Sequence, residues 1–281
     1  MNSRLIYFFL CLSFVLIGCG VGSVLAAEST PSVTLSSGFH YLQGDYDEEL
    51  GTYMNYLPVS LKVGFERFEV QGTVSYLRIN GPSLVVGDAQ SEVLALNGSS
   101  ARRSAEGLGD SSLLLRWRGL RNTAAGRFAD VSLKHKFPTA DEDKGLGTGA
   151  TAQTLRLEFL QLFGRQFLLA EAGYRWRHNS RLDLPVYDGQ SVQVQRVELR
   201  PQNGMVAALG WGYQFVGQRS LGLIWNFREA TSENSSNDNE ELMLFYQWRI
   251  DRHWKFSPYL GTGLNNNSSD VSTGLQWHYR F

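Results

Sequence analysis

Past residue 30 the chain alternates apolar and polar side chains with a period of two, segment after segment, to its last residue. Successive side chains of a strand point to opposite faces, so each such segment reads as a strand with one apolar and one polar face. One segment places Tyr53, Leu57, Val59, Leu61, Val63 and Phe65 on one face, and Met54, Tyr56, Ser60, Lys62 and Gly64 on the other. The apolar face returns in Phe68, Val70, Val74, Tyr76; in Leu113, Leu115, Trp117; and in Ala129, Val131, Leu133, Phe137. It continues through Leu155, Leu157, Phe159, Phe163, then Leu168, Ala170, Ala172, Tyr174, Trp176. Met205, Ala207, Leu209, Trp211, Tyr213, Phe215 follow, then Leu221, Leu223, Trp225, Phe227 and Leu242, Leu244, Tyr246, Trp248, Ile250. Val271, Leu275, Trp277, Tyr279 and Phe281 form the last; a first strand near 32–43 and a shorter one near 254–263 bring the number to twelve.

A soluble sandwich also alternates, so the choice falls to the opposite faces. They carry Asp110, Arg116, Arg118, Asp130, Lys134, Lys136, Arg156, Glu158, Glu171, Arg175, Arg177, Arg228, Arg249, Lys255, His278 and Arg280. Aromatic residues gather at the ends of the apolar faces. An apolar exterior with aromatic girdles and a charged interior is the pattern of a transmembrane β-barrel. In hydrocarbon every backbone group must be paired, and only an edgeless barrel of strands achieves that. The predicted fold is therefore all-β, an up-and-down antiparallel barrel of about 12 strands over residues 28–281. Composition agrees: 29 Gly suit turns and crowded strand positions, and only 7 Pro interrupt ladders that need every N–H. A bundle of membrane helices is excluded, because outside the first 27 residues no apolar run reaches the ~20 residues that a spanning helix needs. A net charge of -1 gives no electrostatic case for nucleic acid.

Connection lengths alternate as this layout requires. Short turns stand at 65–67, 164–165, 216–218 and 251–253, with 119–126 somewhat longer. Long polar connections stand at 44–51, 80–107, 138–149, 179–200, 229–240 and 264–270. Short periplasmic turns and longer outer loops are the outer-membrane arrangement, and an even strand number leaves both barrel ends on the periplasmic side. The 80–107 connection is long enough to fold inward as a constriction. The terminal Trp277-His278-Tyr279-Arg280-Phe281 resembles the signal that the outer-membrane assembly machinery reads.

Residues 1–27 read as a secretory signal peptide: Arg4, an apolar stretch over 5–17, and Val24-Leu25-Ala26 before the cleavage point. A second reading of the same segment takes Leu16-Ile17-Gly18-Cys19 as a lipobox that leaves Cys19 lipidated. Cys11 and Cys19 both lie here, so the barrel has no disulfide, thiolate nucleophile or cysteine metal site.

Four motifs within about 70 residues resemble a known family: Gly107-Leu108-Gly109-Asp110, Lys134-His135-Lys136-Phe137-Pro138-Thr139, Gly145-Leu146-Gly147-Thr148-Gly149 and Glu171-Ala172-Gly173-Tyr174-Arg175. They are similar to the outer-membrane β-barrel family named for the meta-pathway of phenol degradation. Ala140 departs from the Gly that usually follows Pro-Thr there. The resemblance implies a transporter-like barrel, with members found near genes for aromatic degradation.

The leading functional expectation is a channel or transporter for small solutes, aromatic or anionic ones among them. Its candidate lumen-lining and solute-binding residues are Arg116, Arg118, Lys134, Lys136, Arg156, Glu158, Glu171, Arg175, Arg177, Arg228, Arg249, Lys255 and Arg280. Eleven Lys/Arg against four Asp/Glu on the inner faces favour anions if the lumen is open. One alternative is a structural or interaction barrel, in which Glu158 and Glu171 pair with neighbouring arginines. Another is a lipid hydrolase, from His178 and Ser180 two apart on one outward face. No enzyme activity, cofactor or metal is expected: the glycine motifs lack a surrounding βαβ unit, and acidic stretches at 45–49 and 141–143 lack a full calcium loop. Expected partners are outer-membrane lipid, lipopolysaccharide, the assembly machinery through Phe281, and the solute.

Overall fold

The computed structural model describes residues 31–281 except 46–50, 82–83, 89–91, 96–102, 188–191, 200 and 231–237. The signal peptide and both cysteines lie outside the described residues. The described residues form seventeen strands: β1 (Ser32–Gly44), β2 (Thr52–Gly64), β3 (Phe68–Gly81), β4 (Leu84–Asp88), β5 (Glu92–Ala95) and β6 (Arg103–Leu108). Then come β7 (Ser111–Asn122), β8 (Arg127–Phe137), β9 (Ala152–Phe163), β10 (Gln166–Arg177), β11 (Ser180–Tyr187) and β12 (Val192–Leu199). The last are β13 (Gly204–Phe215), β14 (Arg219–Arg228), β15 (Asn239–Arg249), β16 (Trp254–Gly263) and β17 (Val271–Arg280).

Neighbours in sequence pair antiparallel around the wall, and β1 closes on β17 from Thr34↔Arg280 to Gln43↔Val271. The result is a closed barrel of twelve staves, as the alternation predicts. One stave is broken. The first part of β3 pairs with β7, ending at Thr73↔Ser112, and its continuation pairs with β6 from Tyr76↔Leu108. Between those pairs one side advances by four residues and the other by three, so the stave carries an extra residue at Gly109-Asp110. Gly109 holds the joint by donating its N–H to the Ser75 carbonyl at 2.9 Å.

Two expected loops contain ordered strands. Of the 80–107 connection, 80–81 end β3 and 103–107 belong to β6, and between them stands the β4–β5 hairpin. The 179–200 connection is a second hairpin, β11–β12. Both runs satisfy their own backbone groups by folding back, which a long unpaired loop could not do.

The predicted apolar faces are the outer surface. Leu157, Leu209, Leu260 and Met205 are each more than half exposed, whereas inward Thr154, Arg175 and Ser132 are buried. Rings gather at both ends of the wall: Tyr174 against Trp176 at 5.1 Å on the loop end, Trp254 against Tyr279 at 4.9 Å and Tyr279 against Phe281 at 5.0 Å on the turn end. Such rings occupy the two interfaces of an outer-membrane barrel. The turns are tight where Gly164 and Gly217 take φ of 61° and 81°. At the 251–253 turn, Asp251 Oδ1 accepts the N–H groups of His253 and Trp254 at 2.7 Å each, and these bonds hold its carboxyl below the ordinary aspartate value.

An arginine in the centre of the lipid-facing wall costs about 2–4 kcal/mol in such barrels. We expect Leu157→Arg to lose that much in urea unfolding from lipid vesicles, and Leu264→Arg, on a loop, to lose about 1 kcal/mol or less. Equal stability of the two variants would refute the lipid-facing assignment.

Candidate functional site

The wall from β7 to β10 carries the densest charge. Glu171, Glu158 and Asp130 stand directly opposite one another across three adjacent strands. Like charges in register repel, so this row needs cations from the rows beside it. Arg156 Nη1 reaches Glu171 at 3.0 Å, Arg116 Nη2 reaches Glu158 at 3.0 Å, and Arg121 pairs with Asp130. Ser132 Oγ donates a further bond to Glu158 at 3.0 Å. Elsewhere Arg118 and Lys62 share the buried Glu69, at 2.9 and 3.7 Å. Arg228 meets the buried Glu241 at 3.7 Å and Asn239 at 2.8 Å. Glu69 and Glu241 are absent from the sequence-derived set. Each lies far in sequence from its cation, and only register brings the two together.

Near the loop end, Lys136 and Asp110 pair with both side chains 9% exposed. Lys136 Nζ also donates to Thr148 Oγ1 at 2.9 Å, and Asp110 Oδ1 accepts the N–H groups of Thr139 and Ala140 at 3.1 Å each. Thr139 Oγ1 in turn accepts the Ser111 N–H at 2.8 Å. A Cβ on Gly147 would lie 2.6 Å from the Ala140 Cβ and 2.8 Å from Asp110 Oδ1, so Ala140 fits because residue 147 has no side chain. The three motifs at 107–110, 134–139 and 145–149 thus converge on one latch. It turns the 138–149 segment inward and seats the buried Leu146 against Leu42, Met54, Tyr56, Leu77, Ile79 and Ala105. Beneath the loop end the otherwise charged inner wall thus carries an apolar cluster, which includes the inward Met54 and Tyr56. Of the 80–107 connection, 80–81 and 103–107 continue the wall and the β4–β5 hairpin is a sheet of its own; the inward seating that the structure shows is that of Leu146 in the 138–149 segment.

The other expected residues fall in three places. Arg175 is buried with Nε donating to Thr154 Oγ1 at 3.3 Å, and Arg177 is tied to the 201–203 segment through Asn203 at 2.7 Å. Lys134 stands in register between Leu114 and Thr154 on the same wall. Arg249, Lys255 and Arg280 lie at the turn end, and among the described residues no carboxylate forms an ion pair with any of them. Among the described residues, no group of three metal-ligating side chains occurs. His178 Nδ1 lies 3.1 Å from Thr151 Oγ1, and the side chain of Ser180 lies outside the described residues.

No protein-family profile matches the chain, and no curated protein matches it in sequence. Among solved structures its fold is similar to the COG4313 outer membrane channel from Pseudomonas putida F1: 14% identity, 92% of this chain, 100% of that one, TM-score 0.67. It is also similar to the beta domain of the Bordetella autotransporter BrkA, at 13% identity, 90% and 100% of the chains and TM-score 0.53. A third likeness is the KdgM porin, at 8% identity, 88% and 99% of the chains and TM-score 0.50. At these identities the likeness is one of fold, that of a bacterial outer-membrane barrel, and this fold carries more than one function.

Removing Asp110 strands a buried ammonium, a change that costs about 3–5 kcal/mol when one partner of a buried pair is lost. Asp110→Ala should therefore free the 138–149 segment, seen as lost hydrogen-exchange protection at the Thr139 amide. Wild-type protection in that variant would exclude the latch.

Proposed function

We propose that the barrel is a passive channel for small solutes across the outer membrane and that it favours anions. The observation that carries this reading is the sign of the inward charge left over after pairing. Glu69, Glu158, Glu171, Asp130, Asp110 and Glu241 each have a cationic partner, and Glu69 has two, so the inner wall is wettable and none of these acids stands unpaired. The excess inward charge is cationic, and the turn end adds Arg249, Lys255 and Arg280, which among the described residues pair with no carboxylate. A cationic mouth raises the local concentration of anions and lowers that of cations. The motif resemblance to the meta-pathway barrels supports the transport reading, and two fold relatives, a channel and a porin, agree with it. Lipopolysaccharide around the loop end, and an assembly machinery reading the exposed Phe281, are the proposed partners.

The seating of Leu146 over the apolar cluster favours a second reading, a barrel closed at its loop end that serves as a structural element. Planar-bilayer recording under a potassium chloride gradient separates the two. The channel reading expects discrete openings and a reversal potential toward chloride. A unit charge about 4 Å from a passing ion is worth about 1 kcal/mol even in bulk water, so Arg249→Glu with Lys255→Glu should lower the anion preference by at least about fivefold. A folded barrel that never opens at any voltage would leave the structural reading standing.

A further inference from the structure

Residues directly opposite across antiparallel strands share a face, so cross-strand partners trace rows around the inner wall. One inward row runs Phe167↔Gly212↔Gly222↔Phe245↔Tyr259↔Gly274↔His40↔Tyr56. It climbs as it goes. Phe167 is the second residue of β10 from its turn, Tyr259 the sixth of β16, and His40 the ninth of β1. The next row toward the loop end is aliphatic and ordered likewise, with Leu169, Ile224, Met243, Leu42 and Met54. Together they form an oblique apolar stripe from the turn end to the cluster under Leu146.

The glycines in the aromatic row are a floor for its rings. A Cβ on Gly212 would lie 2.1 Å from the Phe167 ring, one on Gly222 2.5 Å from the Phe245 ring, and one on Gly274 2.5 Å from the Tyr259 ring. Each ring therefore lies over the wall. Tyr259 and His40 are further fixed by the 2.7 Å bond between the hydroxyl and Nδ1. A parallel inward row on the turn side is polar and cationic: Arg249↔Lys255↔His278↔Ser36. The charged groups acting on Lys255 are themselves cations, Lys62 and Arg249. Four residues, about 13 Å of strand, separate Lys255 from Tyr259. Between them, on the same face, Ser257 Oγ is buried with no hydrogen-bond partner.

We infer that this stripe and the cationic row beside it form one binding track for amphipathic anions, a flat or aliphatic apolar body carrying a carboxylate. The body lies along Phe167, Phe245 and Tyr259, and the carboxylate points to Arg249 and Lys255. The inference rests on the channel reading for its consequence, passage of such anions, but its binding step is measurable apart from conductance. Rings laid over glycines offer apolar surface with little protruding bulk, which suits sliding contact rather than a closed pocket. Arg249 and Lys255 at one border, which pair with no carboxylate among the described residues, supply orientation.

Fluorine NMR titration of the folded barrel in detergent, with 4-fluorobenzoate as probe, tests the track. Trifluoroacetate lacks the apolar body and 4-fluorobenzyl alcohol lacks the charge, so both should bind at least about tenfold more weakly. Phe167→Ala with Phe245→Ala should weaken 4-fluorobenzoate by about tenfold, and Lys255→Met should remove its advantage over the alcohol. Heat-modifiable migration identifies the folded variants, and a pair that fails to fold is replaced by Phe167→Leu with Phe245→Leu, which removes the π-faces and keeps the bulk. Equal binding of all three probes, or binding unchanged by these substitutions, would overturn the track. Saturable binding in a barrel without openings would uphold the track and sink the channel reading; openings without such binding would do the reverse.

Discussion

Backbone pairing in hydrocarbon is the constraint on which everything else in this molecule depends. An unpaired N–H or carbonyl facing lipid has no water to turn to, so the sheet must close. Closure through β1 and β17 removes both edges at once, and it fixes which face of every strand meets lipid. The outer faces are then free to be apolar with no partner inside the protein, and the inner faces must satisfy their charges among themselves. The alternation of Leu155, Leu157 and Phe159 with Arg156 and Glu158 on a single strand is the local record of that division.

The interior resolves its charges by register. Glu171, Glu158 and Asp130 would be mutually repulsive as a bare row, and they hold because Arg156, Arg116 and Arg121 reach them from adjacent rows. A half-satisfied network of this kind would cost more than an apolar wall, so the pairing is a condition of folding as well as of function. The latch at the loop end follows the same rule. Asp110 stands where the broken stave carries its extra residue, and it collects an ammonium and two backbone N–H groups from the segment that it draws inward. The glycine and Pro-Thr motifs, far apart in sequence, are the parts of that one joint.

Much of this was legible in one dimension. Strand number, lipid-facing set, alternation of turn and loop length and position of the girdles follow from a period of two, since a strand's faces are set by its own residues. The polar identity of most inner residues followed as well. Beyond reach were the hairpins inside the 80–107 and 179–200 connections: β11 and β12 alternate as the wall strands do, but they pair only with each other and add no stave. Inward apolar residues such as Leu77, Met243 and Phe245 were equally hidden, because a short apolar run does not say which of its members turns in. The partners of Glu69 and Glu241 could not be read either.

By itself the sequence determined that the chain makes an edgeless barrel and which side chains face lipid, because both are properties of single strands in a solvent without hydrogen bonds. Only the tertiary structure decided which inner residues meet. That depends on the stagger between strands, one residue of which moves every cross-strand neighbour. The stagger sets carboxylates beside arginines on one wall, lays rings over glycines on the other, and leaves Arg249 and Lys255 at the turn end without an acid among the described residues.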